Sequence, residues 1–185
     1  MNAMSQAEND VGHVAIEIAK FLAKAEPGEL AELRRMEIKL GARLFWRLSA
    51  QYDRIANRPE KWAVIVRMLA LLTPTGSRES KESVHDGKRA LGAVLCDGGQ
   101  TGPVERPLLS ESRLARLLAA RSKIRLEALE RAVKMLARNQ VKLNTAELAW
   151  AVIAPERATA QIAKAYYKRL DSTAKDEAIE ESKDE

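Results

Sequence analysis

The stretch "ELAELRRMEIKLGARLFWRL", residues 29–48, carries the reading on which the fold turns. Leu33, Leu40, Leu44 and Leu48 recur at helical offsets, and Arg35, Lys39, Arg43 and Arg47 recur every fourth residue beside them. A strand puts alternate residues on one face, whereas a helix gathers positions three, four and seven apart. The stretch therefore reads as part of one amphipathic helix from about Glu29 to Ala56, with a leucine stripe facing a core and a separate basic stripe. "NRP" at 57–59 closes it and opens the next.

The same periodicity extends on both sides. Upstream, Val11, Val14, Ala15, Ile18, Phe21 and Leu22 share a face over residues 11–25, and "AEPGE" at 25–29 interrupts them. Downstream, a helix at about 60–72 carries Trp62, Ile65, Val66 and Leu69. "TPTGSRESKESVHDG" at 73–87 has no periodic apolar residue and predicts an exposed, mobile loop. A short helix, "KRALGAVLC", and a second break, "DGGQTGPVERP", follow. Ser110 reads as an N-cap, with Leu109 and Leu114 placed as a hydrophobic staple, so a helix at 111–121 starts there. Leu126, Leu129, Val133 and Leu136 predict a helix at 125–138. Asn144 and Glu147 form a capping-box-like start to another, which Pro155 stops. Ile162, Tyr166 and Leu170 mark a last helix at 156–170.

With only 9 Gly and 6 Pro in 185 residues, and few β-branched runs, the chain favours helix almost throughout. The prediction is an all-α protein of seven to nine helices, built as two small bundles, or lobes. The N-terminal lobe spans 11–75, a loop-rich linker with one short helix spans 76–108, the C-terminal lobe spans 109–170, and 171–185 is an acidic, disordered tail.

Composition excludes several functions. The longest apolar runs, such as "AVIV" and "MLALL", fall far short of the roughly 20 residues a membrane span needs. The N-terminal "MNAMSQAENDVGHV" lacks the basic and apolar blocks of a secretory signal, which points to a cytoplasmic protein. The single cysteine, Cys96, cannot form a disulfide framework within one chain. Charge is unevenly divided: residues 171–185 hold seven acids and two lysines, and residues 1–170 carry a net charge of +10. From Arg106 to Arg138 there are nine cations against three glutamates. Such local excess attracts polyanions.

Residues for catalysis are sparse. His13 and His85 are the only histidines, no HExxH or paired metal-ligand spacing exists, and surface histidines are the plainer reading. "DGGQTG" at 97–102 lacks the Lys-Ser/Thr of a P-loop and reads as a turn. Cys96 reads as a small buried thiol rather than a nucleophile. The glutamates sit at intervals typical of solvated helix faces. The chain reads as a non-enzyme with no cofactor or metal.

The cations remain. Arg35, Lys39, Arg43 and Arg47 span about 18 Å at roughly 1.5 Å per helical residue, enough to meet successive phosphates. Arg113, Arg116 and Lys123 make a second row, and Arg131, Lys134 and Arg138 a third. Arginine suits such contacts because its planar fork grips phosphate. Trp46 lies beside the first row, where it is placed either in the core or against a base.

In their order and spacing, "ELAELRRM", "LFWRL", the tryptophan with "RMLALL" at 62–72, "LSESRLARLLAAR" and "LERAVKMLARNQVKLNTAELAWAVI" resemble the CasB family, the small subunit of the type I-E CRISPR Cascade complex. The resemblance covers about residues 15–170. It implies an all-helical, two-lobed, non-catalytic subunit of a crRNA-guided antiviral complex. The implied partners are the other Cascade subunits, backbone and large, together with crRNA, target DNA and a second copy of the chain. It also implies basic surfaces that contact the crRNA–target duplex and stabilise the displaced strand of the R-loop. Arg34 and Arg35 fall on the family's Leu-Arg-Arg segment, Arg47 on its aromatic-Arg-Leu segment, and Arg113, Arg116 and Arg121 on its basic helix. The alternatives are a helical adaptor for acidic protein partners and, third, a sequence-specific regulator, for which no helix-turn-helix is evident.

Overall fold

The computed structural model describes residues 3–74 and 82–181. In chain order the helices are α1 (Ala3–Leu22), α2 (Pro27–Arg35), α3 (Arg43–Gln51), α4 (Asp53–Asn57), α5 (Pro59–Leu72), α6 (Leu91–Asp97), α7 (Glu111–Ala119), α8 (Ser122–Arg138), α9 (Thr145–Ile153) and α10 (Pro155–Glu181). The described residues contain no strand, only an isolated parallel bridge between His85 and Leu143. The protein is all-α.

Helix α5 explains the arrangement. It buries Trp62 to Val66 and Met68 to Ala70, so it is apolar nearly all round and must be covered on all sides. It packs against α1, α2, α8 and α9. Helix α1 lies against α9, where it buries Val14, Ile18 and Leu22. Helix α6 lies along α10, and the approach is so close that a Cβ on Gly92 would stand 2.1 Å from the Ile162 carbonyl oxygen. Buried side chains from before residue 75, from 84–109 and from the C-terminal helices form one contiguous apolar cluster.

Residues 29–56, which periodicity predicts as one helix, form three. Helix α2 ends at Arg35, and Arg67 Nη1 of α5 donates to the Met36 carbonyl at 3.1 Å. In a continuous helix that carbonyl would accept from the amide of Leu40. The chain turns through Gly41 at φ +70°, which a side chain tolerates poorly. Leu40 consequently leaves the leucine stripe and is 69% exposed, while Leu33, Leu44 and Leu48 are buried. A second break falls at Tyr52, whose backbone is extended.

Other boundaries shift less. Helix α7 stops at Ala119, and α8 begins at Ser122, which adopts φ +45°. Leu109 and Leu114 are both buried as the staple requires, but Ser110, at the N-cap position, makes no side-chain cap bond. Asn144 does cap α9, its side chain accepting from the amides of Ala146 and Glu147. Glu147 does not close the box, because its Oε2 accepts from the Leu91 amide at the start of α6, at 2.8 Å. Helix α10 continues past residue 170 to Glu181, through a stretch free of Gly and Pro. Of the predicted loop at 73–87, residues 75–81 lie outside the described residues. Residues 84–86 are docked, Val84 being buried and the Leu143 amide donating to its carbonyl at 3.0 Å.

Candidate nucleic-acid interface

Twelve cations are candidates on sequence, and eleven of them are exposed. The twelfth, Arg34, faces inward at the end of α2: its Nε donates to the Ala70 carbonyl at 2.8 Å and its Nη2 to the Thr73 carbonyl. It thereby caps the C-terminus of α5, where carbonyls lack helical partners and the helix dipole favours positive charge. Burial holds its pKa below the usual arginine value.

Arg35, Lys39, Arg43 and Arg47 do not form a single helical row. Arg35 ends α2, Lys39 sits in the turn, and Arg43 and Arg47 lie one turn apart on α3. Glu32 Oε1 accepts from the Arg43 amide at 3.2 Å, which stabilises the start of α3 and leaves the guanidinium outside. Arg47 stands 3.9 Å from Glu29, a loose surface pair. Trp46 is 48% exposed, donates Nε1 to the Leu40 carbonyl at 3.0 Å and meets Phe45 edge to face.

Lys123 leaves the second row. It lies on α8, where Lys123, Arg131, Lys134 and Arg138 are spaced eight, three and four residues apart and are all exposed. They make one stripe of about 22 Å at roughly 1.5 Å per residue. Glu127 lies within the stripe, 3.6 Å from Lys123, and Lys134 pairs with Glu130 at 3.0 Å. Burial works to raise the Glu130 carboxyl, but Lys134 and Arg67 outweigh it and hold it below the usual range. Arg113 and Arg116 remain on α7, and Arg121 occupies the N-cap of α8. Among the described residues Arg35, Lys39, Arg43, Arg113, Arg116, Arg121, Arg131 and Arg138 are in no ion pair.

A groove of about 740 Å³ joins the first group to the α8 stripe, with Lys39 and Lys123 both lining it. Its floor is apolar, formed by Ile38, Val64, Leu126 and Ile153, and its rim also carries Glu60, Glu127 and Glu156. Mixed charge makes it unlike the open basic faces on either side.

Other cations work inside the fold, where the spacing of basic residues does not single them out. Arg125 is buried and donates to the carbonyls of Leu118 and Pro155, both at 3.0 Å. Lys61 reaches the Ile153 carbonyl at the end of α9, at 2.9 Å. Asp97, buried at the end of α6, holds Arg89 at 2.9 Å and Arg169 at 2.7 Å. The signal was phase: Arg125 stands in register with the buried Leu129, Ala132 and Val133, and Arg67 interrupts an otherwise apolar helix.

His85 and Cys96 are committed to the fold. His85 Nδ1 lies 2.9 Å from Thr145 Oγ1 and accepts from the Thr145 amide at 3.3 Å, so the imidazole helps to cap α9. Burial lowers its pKa, with Asp86 acting against that and Lys20 with it. Cys96 is fully buried, and its thiol is pushed up to about 11 by burial and then by Asp97. It is a thiol at neutral pH and a poor nucleophile. No group of His, Cys, Asp and Glu among the described residues is placed to hold a metal. No helix among them is long and apolar enough to cross a membrane.

By class, then, this is an all-α protein whose exposed candidate cations lie at the end of α2, on α3, α7 and α8 and in the turns beside them, while Arg34, Lys61 and Arg125 bind carbonyls inside the fold. The chain matches the family model described as CRISPR-associated protein Cse2 over residues 29–167. It belongs to that family, the Cse2 or CasB small subunits of the type I-E Cascade complex. Comparison with curated proteins and with solved structures gave no match.

Proposed function

We propose that the protein is a non-catalytic subunit that holds nucleic acid within Cascade, using the exposed faces of α3, α7 and α8 to contact phosphates. The reading rests chiefly on the exposure of eleven of the twelve candidate cations in a chain of this family. R-loop formation exchanges one duplex for another at nearly balanced free energy, so a few phosphate contacts to the displaced strand tip it. Sequence specificity stays with base pairing, which suits faces rich in arginine without polar base readers. Arg35, Lys39, Arg43 and Arg47 form one contact group, the α8 stripe a second, and Arg113, Arg116 and Arg121 a third. Arg34 is left out because its guanidinium is committed to α5. The mixed-charge groove between Lys39 and Lys123 suits a protein neighbour, another Cascade subunit or a second copy of the chain, better than a phosphate backbone.

The test is R-loop stability in reconstituted Cascade carrying Arg131/Arg138→Glu, which leaves the groove beside Lys123 untouched. The complex should assemble with the variant and release the displaced strand several-fold faster than wild type, with a weaker dependence on salt. An assembled complex with unchanged R-loop lifetime and salt dependence would count against phosphate contacts on α8 and favour a subunit that binds protein neighbours alone.

A further inference from the structure

Trp46 has an environment that differs from those of the other two tryptophans. Trp62 is 1% exposed and Trp150 is half-buried, whereas Trp46 leaves 48% of its surface in water. An indole exposed this far is ordinarily free to turn, but here three contacts hold it. Its Nε1 is tied to the Leu40 carbonyl at 3.0 Å. The ring lies so close over Gly41 that a Cβ there would stand 2.6 Å from Nε1. The edge-to-face contact with Phe45 has a centroid separation of 5.1 Å. Arg43, one turn earlier on α3, and Arg47, the next residue, are exposed beside it.

We infer that Trp46 is a preorganised stacking platform for an unpaired base, so that the α3 face takes single-stranded rather than duplex nucleic acid. This rests on the proposed function, which has phosphates contacted, and adds to it a residue that takes the unpaired bases of the strand at this face. The strand and the face have complementary parts. A single strand presents bare base faces and phosphates together, and the α3 face presents a fixed aromatic ring with cations on both sides. A duplex hides its bases within the stack and would meet only the cations. Because the ring is already immobile, stacking costs little side-chain entropy. A protein neighbour recognising Trp46 by hydrogen bonding would need the indole N–H, which Leu40 already occupies.

The experiment compares the full-length wild type with Trp46→Leu, Trp46→Phe and Arg43/Arg47→Glu, on a labelled mixed-sequence single strand and on a duplex of the same length, across a salt series. Thermal melts confirm that each variant is folded. Trp46→Leu should weaken single-strand binding about 5-fold or more, well beyond any effect on the duplex, without changing the salt slope, because stacking releases no counterions. Trp46→Phe should recover part of the loss. Quenching of tryptophan fluorescence by the single strand should be present in wild type and absent in Trp46→Leu. If Trp46→Leu binds the single strand as wild type does while Arg43/Arg47→Glu weakens it, stacking is wrong and phosphate contact stands. If neither variant alters binding, or wild type binds neither nucleic acid at low salt, the reading beneath it fails at this face too. Loss of assembly into Cascade by Trp46→Leu with unchanged strand affinity would make the patch a protein contact and overturn the inference.

Discussion

At the scale of single residues, the fold turns polar side chains into caps for helix ends. His85 is the clearest case, because its neutral Nδ1 accepts the Thr145 amide and a protonated ring cannot. Burial lowers its pKa, so the folded chain binds the proton more weakly than the unfolded chain, whose histidine titrates near about 6.5. The contribution is therefore full above about pH 6.5 and is lost as the pH falls towards the lowered folded value. His85→Gln keeps an acceptor without titrating. Between pH 7 and 5, wild type should lose on the order of 1 kcal/mol more stability than His85→Gln, the worth of about one hydrogen bond. Urea midpoints at the two pH values check this, and equal losses in both proteins would contradict it.

Among elements, the contact between α6 and α10 leaves the least room. Gly92 is buried with the Ile162 carbonyl oxygen and carbon, and the Tyr166 amide, at 2.1 to 2.9 Å from the position of a Cβ. Those atoms belong to a helix backbone and cannot turn aside as a flexible side chain would. Gly92→Ala should destabilise the protein by roughly 1–3 kcal/mol through overpacking, even though alanine is the better helix former. Its chemical denaturation midpoint should fall accordingly, and an unchanged midpoint would mean that α6 shifts freely. Asp97 reinforces the same junction: one buried carboxylate ties Arg89 before α6 to Arg169 on α10.

Across the whole molecule, α1 packs on α9 and α5 on α8, so early and late parts of the chain share the core. Cooperative loss of that core predicts one unfolding transition. Trp62 on α5 and Trp150 on α9 line one cleft and report on the packing of these two helices. Tryptophan fluorescence and far-UV circular dichroism should give coincident denaturation curves, whereas two separated steps would reveal lobes that fold independently. The charge arrangement belongs to this scale as well. Lys39, in the turn before α3, and Lys123 on α8 are distant in sequence yet flank one groove, a grouping set by packing and absent from any local motif.

The sequence by itself determined the all-helical class, the buried faces of α5 and α8 and that of α1 apart from Phe21, which is 39% exposed, the Leu109–Leu114 staple and the Asn144 cap, because these depend on spacing and local chemistry alone. It also carried the resemblance that the family match over residues 29–167 bears out. Only tertiary structure decided where 29–56 breaks and which cations face solvent. Periodicity shows that Met36 suits a helix, but not that Arg67, 31 residues further on, takes its carbonyl. Arg34 and Arg35 are adjacent and identical in type, yet one caps α5 and the other is exposed. Local spacing records one turn of helix at a time, whereas an unsatisfied carbonyl is answered by whichever side chain the fold brings to it.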